Sequence, residues 1–174
     1  TFASNRAEPF IEIIEGGGEW ILKPAAGSLG QGIFLLNKTT HSYPSLIRYL
    51  LGQNADHYLI LQEHIPDIDR GEKRVLMAAG HLIGAYLRRQ DTDHRTNLMQ
   101  GGQAEPTTLS EAEQTLALKL GAYCSELGAE FIGIDLVYPY VIEINVINPG
   151  GLGTLMSLGE ANQAGAVIKA ILQT

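Results

Sequence analysis

Cysteine is almost absent from this sequence, which has one cysteine in 174 residues. A single thiol cannot form an internal disulfide framework, and this scarcity fits a reducing cytosol. No apolar run approaches the roughly 20 residues that a membrane-spanning helix needs, and the N-terminus carries no secretory signal pattern. We therefore expect a cytoplasmic protein that does not bind a membrane.

Positive charge is also scarce, because 12 Lys and Arg stand against 19 Asp and Glu, for a net charge of −7. Non-specific binding to nucleic acid needs a basic patch, so we expect no nucleic-acid partner. A local group of bases in such an acidic chain indicates an anionic small molecule instead, although any one of them is also explained as a surface charge. The group surrounds a polar, glycine-bearing stretch and comprises Lys73, Arg74, Arg88, Arg89 and Arg95.

Several familiar motifs are missing. No Ser/His/Asp or Cys/His arrangement appears, the five histidines lack metal-ligand spacing, and Cys124 lies beside an apolar helical stripe, as a core thiol does.

The glycines of residues 27–32 fit neither a Walker A loop nor a dinucleotide-binding fingerprint. They form either an ordinary hairpin turn or a loop whose backbone N–H groups cover phosphates. Lys23 favours the second interpretation, because a cation at the rim of the loop can pair with phosphate.

Short strands and helices make up the rest of the chain, without strict alternation. This mixture predicts α+β lobes rather than a doubly wound sheet. The hydrophobic patterns predict helices over 5–15, 45–51 and 161–172, and strands over 20–23, 33–36, 58–62, 73–79, 81–88, 131–137 and 141–146. Residues 91–103 and 148–153 are predicted to be loops.

One further helix has clear boundaries in the sequence. Ser110 and Glu113 have the spacing of a capping box, and Gly128 is a typical C-terminal stop. Its predicted apolar stripe is Leu116, Leu120, Tyr123 and Leu127. For the last helix, the predicted apolar side is Val167, Ile168, Ile171 and Leu172.

The strongest local signal is a pair of acids and an amide in two apolar strands. Glu143 and Asn145 are predicted to share one strand face with Val141, while residues 142, 144 and 146 fill the core. A three-residue connection over 138–140 would place Asp135 directly opposite Glu143, whereas a two-residue connection would put them on opposite faces. Grouped together, these oxygens suit Mg²⁺, which favours oxygen ligands and shares its shell with phosphates. The competing interpretation is the polar outer face of a hairpin, which the apolar surroundings make costly.

The order of these elements resembles the ATP-grasp family, and within it the bacterial glutathione synthetases. The resemblance spans nearly the whole chain, with an eight-residue step from Asp135 to Glu143. It rests on residues 21–24 with the glycine loop, Gln62-Glu63-His64-Ile65-Pro66, Gly71-Glu72-Lys73-Arg74-Val75-Leu76, Arg95-Thr96-Asn97-Leu98 with Gly101-Gly102, Phe131-Ile132-Gly133-Ile134-Asp135 and Glu143-Ile144-Asn145-Val146.

The resemblance implies an ATP-grasp fold in which two lobes with mainly antiparallel sheets, residues 1–64 and 65–174, enclose ATP. Lys23 and the glycine loop would contact phosphates, and residues 62–65 would hold adenine through backbone groups. Glu72 falls where the family usually has Asp, near the ribose. The implied ATP-binding residues are Lys23, Gly27, Gly30, Gly32, Gln62, Glu63, Ile65, Glu72 and Asn145.

For the chemistry, the resemblance implies that Asp135, Glu143 and Asn145 hold Mg²⁺, or Mn²⁺ in its place. The implied catalytic residues are Arg74, Arg89 and Arg95, which would bind the peptide substrate or an acyl phosphate, and residues 91–103 would form a mobile lid. The implied substrate contacts are Arg74, Arg89, Asn97, Gly101, Gly102, Asn148 and Pro149.

The implied activity is ATP-dependent joining of a carboxylate to an amine through an acyl phosphate, with γ-glutamylcysteine and glycine as substrates. The expected partners are ATP and a dipeptide or amino acid, and a homo-oligomer is compatible with the sequence. Residues 146–150 read Val-Ile-Asn-Pro-Gly where the family typically has Val-Thr-Ser-Pro-Thr, which leaves the acceptor open. A glutamate ligase acting on a peptide or protein terminus is therefore one alternative.

A second alternative follows from the N-terminal domain of the family, which supplies a further ATP-contacting lysine. This sequence begins at Thr1 without it, so we expect the ATP-binding part of a longer enzyme. By itself such a chain could be a nucleotide-binding module without ligase activity. A third alternative is a protein that does not bind ATP and whose hairpins only look similar.

Overall fold

The computed structural model of the protein describes residues 1–26, 32–52, 57–89 and 102–173. The chain forms two compact units, Thr1–Pro66 and Asp67–Thr174. Each combines an antiparallel sheet with helices, which confirms the predicted α+β class. Some predictions lie outside the described residues: most of the lid and the site residues Gly27, Gly30, Arg95, Asn97 and Gly101.

The first unit is a four-stranded sheet with two helices. Its elements are β1 (Phe2–Ser4), α1 (Ala7–Glu15), β2 (Trp20–Pro24), β3 (Phe34–Leu36), α2 (Tyr43–Leu51) and β4 (Leu59–Glu63). The strand order is β1-β4-β2-β3, and all neighbours are antiparallel. The pairing of β2 with β3 confirms that the strands flanking the glycine-rich stretch run antiparallel. The sequence did not predict β1.

The core of the first unit lies between this sheet and its helices. Leu22 on β2 lies opposite Leu61 on β4, and both are fully buried against Phe10 and Ile47 of the helices. Each helix presents an apolar side to the sheet, as the 3.6-residue period predicts. The alternate residues of β2 and β4 therefore point to the other face of the sheet.

The second unit contains a five-stranded sheet. After a 3₁₀ turn (Pro66–Arg70) come β5 (Glu72–Ala78), β6 (His81–Arg89), β7 (Gln103–Pro106), α3 (Glu111–Glu126), β8 (Phe131–Val137), β9 (Tyr140–Asn145), α4 (Leu152–Ser157) and α5 (Ala164–Ile171). The order is β7-β6-β5-β8-β9, again antiparallel throughout. Strand β7 was not predicted: its first residue, Gln103, was expected to end the loop 91–103, and the following residues had no predicted element.

Helix α3 covers one face of this sheet. Both hydrogen bonds of the predicted capping box between Ser110 and Glu113 are present. The predicted apolar stripe is only partly right, because Tyr123 and Leu127 are 59% and 69% exposed. The buried positions are instead Glu113, Ala117, Gly121 and Cys124. Small residues there allow close packing on the sheet, since a Cβ on Gly121 would lie 2.7 Å from Met77 Cε.

The β8–β9 hairpin resolves the alternative that the sequence left open. Val137 pairs with Tyr140, so the connection has two residues, yet Asp135 still lies opposite Glu143. A β-bulge between these pairs, where Val141 and Ile142 replace a single partner, restores the register. The bulge corrects one prediction, because Val141 packs against the apolar core instead of sharing the face of Glu143. A second prediction is also wrong: Val146 lies after the end of β9 and is 51% exposed.

The C-terminal region departs most from the sequence-based prediction. Helix α4 begins at Leu152, inside the stretch 148–153 that was predicted to be a loop, and packs Leu155 against Leu76 and Tyr86. Helix α5 buries Val167, but Ile168 and Leu172 of its predicted apolar side are 58% and 80% exposed. This helix of eight residues offers one buried position to its neighbours.

Within the described residues, no helix combines the length and the apolar character that crossing a membrane requires.

Candidate functional site

Four charged side chains are buried together on one face of the five-stranded sheet. Glu72 and Arg74 lie on β5, Arg88 on β6 and Asp135 on β8, and none is more than 8% exposed. The register places Glu72 opposite Arg88 and Arg74 opposite Asp135. Because every second residue of a strand faces the same way, two acids and two bases meet on the face opposite α3.

Asp135 is the centre of this group. Arg74 holds it with two parallel hydrogen bonds, from Nε to Oδ1 and from Nη2 to Oδ2, the latter at 2.9 Å. Arg88 Nη2 lies 2.8 Å from Oδ2, and Asn145 Nδ2 donates to the same oxygen at 3.2 Å. Buried charges are costly unless they are paired and hydrogen-bonded. The surrounding donors therefore fix the orientation of this carboxylate.

Arg88 connects two carboxylates. Its Nη2 also donates to Glu72 Oε1, so one nitrogen bridges Glu72 and Asp135. Burial of Arg88 opposes its charged form, but Glu72 and Asp135 more than offset this and raise the pKa of the guanidinium above its ordinary value. Among the described residues, Arg88 Nε finds no hydrogen-bond acceptor. The guanidinium is thus held mainly through its Nη2 atom.

Arg74 makes a third contact that anchors the segment after β9. Its Nη1 donates to the carbonyl oxygen of Pro149 at 2.6 Å, and Pro149 is buried. Gly133 on β8 makes room for this arrangement, because a Cβ there would lie 3.1 Å from Arg74 Cδ and 3.3 Å from Pro149 Cβ. Asn148 is exposed beside it. Arg74 thereby ties the metal candidate Asp135 to the segment predicted to contact substrate.

Glu143 and Asn145 complete a set of oxygen ligands on the same face. Glu143 lies opposite Asp135 and is exposed, and Asn145 lies opposite Gly133. No three His, Cys, Asp or Glu side chains of the described chain cluster as a metal site, so the candidate set is two carboxylates and one amide. This set fits Mg²⁺, which is commonly bound by one or two carboxylates together with substrate phosphates. From the described residues, Asp135 Oδ1 accepts only from Arg74, so this oxygen retains acceptor capacity.

The predicted basic group separates in the structure. Arg74 and Arg88 reach Asp135, but Lys73, on the opposite face of β5, pairs with Glu113 of α3 at 2.7 Å and donates to the Thr108 carbonyl oxygen at 2.9 Å. Lys73 therefore belongs to the helix–sheet packing, which corrects its place in the group. Arg89 is exposed and alternates with Arg88, so its role at the site stays a prediction.

In the first unit, two predicted nucleotide contacts share the sheet face that points away from the core. Leu22 and Leu61 face the helices, so Lys23 on β2 and Gln62 on β4 point to the other face. Lys23 is half-buried, and Gly32, the last residue of the glycine-rich stretch, has a φ of +72°. A Cβ on Gly32 would lie 3.1 Å from Pro24 Cγ, so glycine suits this position for both reasons.

The remaining predicted contacts occupy strand ends and connections. Glu63 ends β4 and is exposed, Ile65 follows it and is half-buried, and Gly102 immediately precedes β7. Glu72, which was expected near the ribose, is buried with its carboxylate turned to Arg88. The roles of these four residues stay predictions.

Comparison with known proteins now adds to this geometry. The family model described as prokaryotic glutathione synthetase, ATP-grasp domain, matches residues 1–160. The chain belongs to this family. A glutathione synthetase from Agrobacterium fabrum is 36% identical over 155 residues, which cover 88% of this chain and 48% of the relative. One from Prochlorococcus marinus subsp. pastoris is 29% identical over 174 residues, which cover 99% and 56%.

Solved structures confirm the ATP-grasp fold of this family member. The ATP-grasp ligase PsnB, complexed with minimal precursor, Mg and ADP, superposes with a TM-score of 0.68 at 17% sequence identity. The match covers 99% of this chain and 52% of PsnB. The chain spans about half the length of the curated relatives it matches.

Sequence reasoning gave no role to two residues that the structure places at this candidate site. Arg88 was grouped with the other bases but received no role, because its pairing with Glu72 and Asp135 depends on the register of three strands. Gly133 belonged to a recognised motif without an assigned function. A glycine inside an otherwise apolar strand is a signal for close approach of another group, and here that group is Arg74.

Proposed function

We propose that this chain is the ATP-binding part of an ATP-dependent carboxylate–amine ligase that works through an acyl phosphate. The observation that carries the proposal is the joint placement of Asp135, Glu143 and Asn145 on one sheet face, with Arg74 hydrogen-bonded to Asp135. Oxygen ligands for a hard cation beside a buried arginine suit charge stabilisation on a transferring phosphoryl group. Membership of the glutathione synthetase family supports the same reaction class.

The residues divide into metal-binding and nucleotide-binding sets. Glu143, Asn145 Oδ1 and the open lone pair of Asp135 Oδ1 would hold Mg²⁺, or Mn²⁺, together with nucleotide phosphates. When bound, the ion supplies Lewis-acid neutralisation of phosphoryl charge. Lys23 would add a cation at the phosphates, beside the backbone of the glycine-rich stretch. Glu72 is proposed near the ribose, with residues 62–65 at the adenine.

The arginines are proposed to bind and orient the acid substrate. A carboxylate is a poor electrophile, so its phosphorylation by ATP gives an acyl phosphate that an amine attacks with release of phosphate. No enzyme nucleophile is needed in this route. Arg74, already oriented by Asp135 and the Pro149 carbonyl, would present its remaining guanidinium surface to the substrate. Arg89 and Arg95 are proposed as further contacts for the acyl phosphate.

For the substrates, we propose γ-glutamylcysteine as the acid and glycine as the amine. Support comes from the curated relatives, which are glutathione synthetases of bacteria and share 29–36% identity with this chain. The segment after β9 is the proposed acceptor contact, with Asn148 exposed and Pro149 held by Arg74. Gly101, Gly102 and Asn97 are proposed as further substrate contacts.

A coupled assay of ADP release in the intact gene product tests this proposal. We expect release that requires Mg²⁺, γ-glutamylcysteine and glycine together, with glutathione as the product. Glutamate and short peptides serve as alternative acceptors in parallel reactions. ADP release with one of these instead of glycine would replace the substrates but keep the ligase chemistry. Absence of ADP release with every acid–amine pair would overturn the ligase proposal.

A further inference from the structure

The connection between Glu72 and Asp135 runs through a single nitrogen atom of Arg88. Nη2 donates to Glu72 Oε1 and lies 2.8 Å from Asp135 Oδ2. All three side chains are 8% exposed or less. Two carboxylates that contact the same nitrogen atom lie close enough to repel each other unless a cation lies between them. One guanidinium therefore links the two acids, in addition to the bonds that Arg74 makes with Asp135.

We propose that Arg88 is a positioning residue, which aims Asp135 Oδ1 at the metal by holding Oδ2. The proposal rests on the proposed function, because it assumes that Asp135 is a metal ligand. Arg74 also binds Asp135, but its three contacts span both carboxylate oxygens and Pro149. Of the two carboxylate oxygens of Asp135, Arg88 pairs with Oδ2, on the side of Glu72. Partners of this kind orient metal ligands, and their loss typically weakens metal binding by about 10–100-fold.

The geometry indicates which substitutions distinguish a positioning role of Arg88 from a purely structural one. Because both contacts use one nitrogen, a lysine ammonium, which has three donors, can make them too. Arg88→Lys should therefore keep most of the function, whereas Arg88→Met keeps an unbranched side chain and removes the charge. Arg70→Met is the matched control for Arg88→Met, because the Arg70 side chain is 85% exposed and pairs with Asp67 at 3.4 Å.

A merely structural role for Arg88 makes a different prediction. Arg88→Met takes one buried counter-charge away from Glu72, and this loss destabilises the fold. The double variant Glu72→Gln/Arg88→Met removes the carboxylate charge as well, so its unfolding midpoint should recover towards that of the wild type. If Arg88 only neutralised Glu72, metal binding would recover as well. If Arg88 positions Asp135, stability recovers and metal binding does not.

The experiment measures nucleotide affinity in the full chain by calorimetry, with AMPPNP as a non-hydrolysable probe, in the presence and absence of Mg²⁺. The dissociation constant without Mg²⁺, divided by that with Mg²⁺, reports the metal contribution. Any effect of Glu72 on nucleotide affinity that does not depend on the metal cancels in this ratio. Chemical unfolding without metal gives the stability of each variant. We expect the ratio to fall about 10–100-fold in Arg88→Met and in the double variant, and to be retained in Arg88→Lys and Arg70→Met.

Two results would overturn the inference. An unchanged ratio in Arg88→Met, with a wild-type chain that shows Mg²⁺-dependent binding, would mean that Arg88 does not act on the metal. Recovery of the ratio in the double variant would reduce Arg88 to a counter-charge for Glu72. A wild-type chain without Mg²⁺-dependent AMPPNP binding would instead contradict the proposed function, so the two failures are distinguishable.

Discussion

The two faces of the five-stranded sheet use the same strands for opposite purposes. Lys73 and Arg74 are neighbours in sequence, yet Lys73 pairs with Glu113 beneath α3, whereas Arg74 holds Asp135 on the other face. Ile134 and Asp135 show the same contrast: Ile134 is fully buried in the core, and Asp135 is almost as buried among charges. One face stabilises the unit through apolar packing, and the other through mutually compensating charges.

This contrast teaches how a small domain can place chemistry close to its core. Alternation along a strand gives each face its own chemistry at no cost in length. The charged face depends on pairing, because an unpaired buried charge is far more costly than a lost methyl group. The apolar face depends on volume and close packing. Adjacent substitutions should therefore fail for different reasons.

The largest effect is expected from Asp135→Asn, which removes the central carboxylate from the charged face of the five-stranded sheet. It leaves Arg74 and Arg88 buried with one carboxylate fewer, and losing one partner of a buried ion pair costs about 3–5 kcal/mol. Urea unfolding and Mg²⁺-dependent AMPPNP binding should both deteriorate. Asp67→Asn, at an exposed ion pair, is the matched control. Stability within about 0.5 kcal/mol of the wild type, as at an ordinary surface site, would show that the charges on this face do not need each other.

Ile134→Ala tests the apolar face at the neighbouring position. Ile134 is 0% exposed, and truncating such a side chain costs roughly 2–5 kcal/mol through lost burial and a cavity. Because its side chain points towards α3, the Mg²⁺-dependent part of AMPPNP binding should stay at the wild-type level in the folded fraction. Equal loss of metal-dependent binding in Ile134→Ala and Asp135→Asn would contradict the separation of the two faces.

Lys73→Met should have a smaller effect, which depends on pH. Burial of Glu113 favours its neutral form, but hydrogen bonds from Lys73 and Ser110 outweigh this and lower its pKa below the ordinary value of 4.5. A lowered folded-state pKa contributes stability above the ordinary pKa, and this stability is lost as the pH falls through the folded value. Lys73→Met should cost roughly 1–3 kcal/mol near neutral pH.

Measuring the stability cost of Lys73→Met at acid pH as well as at neutral pH gives a sharper test. Because Lys73 lowers the pKa of Glu113, its removal should make the loss of stability on acidification shallower. Urea unfolding of the wild type and of Lys73→Met, at neutral and at acid pH, measures both slopes. Arg70→Met again provides an exposed control. A cost of Lys73→Met that is the same at both pH values would mean that the pair contributes nothing through ionisation of Glu113.

Sequence reasoning predicted four of the five strands of this sheet, but it left open whether Asp135 and Glu143 share a face. Apolar runs and turn residues are local signals, and so is the capping box at Ser110. The bulge at Val141 and Ile142 is not local, because it is defined by the register with Leu136. A strict period of two therefore assigned Val141 to the wrong face.

Helix α3 and Arg88 show why other features of the fold and the candidate site could not be predicted from the sequence. The largest apolar residues of α3 predicted a stripe through Tyr123 and Leu127, but close contact with the sheet selects small residues such as Gly121. Arg88 looks like a surface base in the sequence. Its burial follows from pairing with Glu72 and Asp135, which lie 16 residues before it on one strand and far along the chain on another.

The most direct test of the central claim, that the charged face binds Mg²⁺ with nucleotide, is Mg²⁺-dependent AMPPNP binding by Glu143→Gln. Glu143 is exposed, so the free energy of unfolding should stay within about 0.5 kcal/mol of the wild type. Loss of a ligand carboxylate should lower the ratio of dissociation constants without and with Mg²⁺ by about tenfold or more, whereas Glu160→Gln should leave it unchanged. A ratio in Glu143→Gln equal to that of the wild type would contradict the claim.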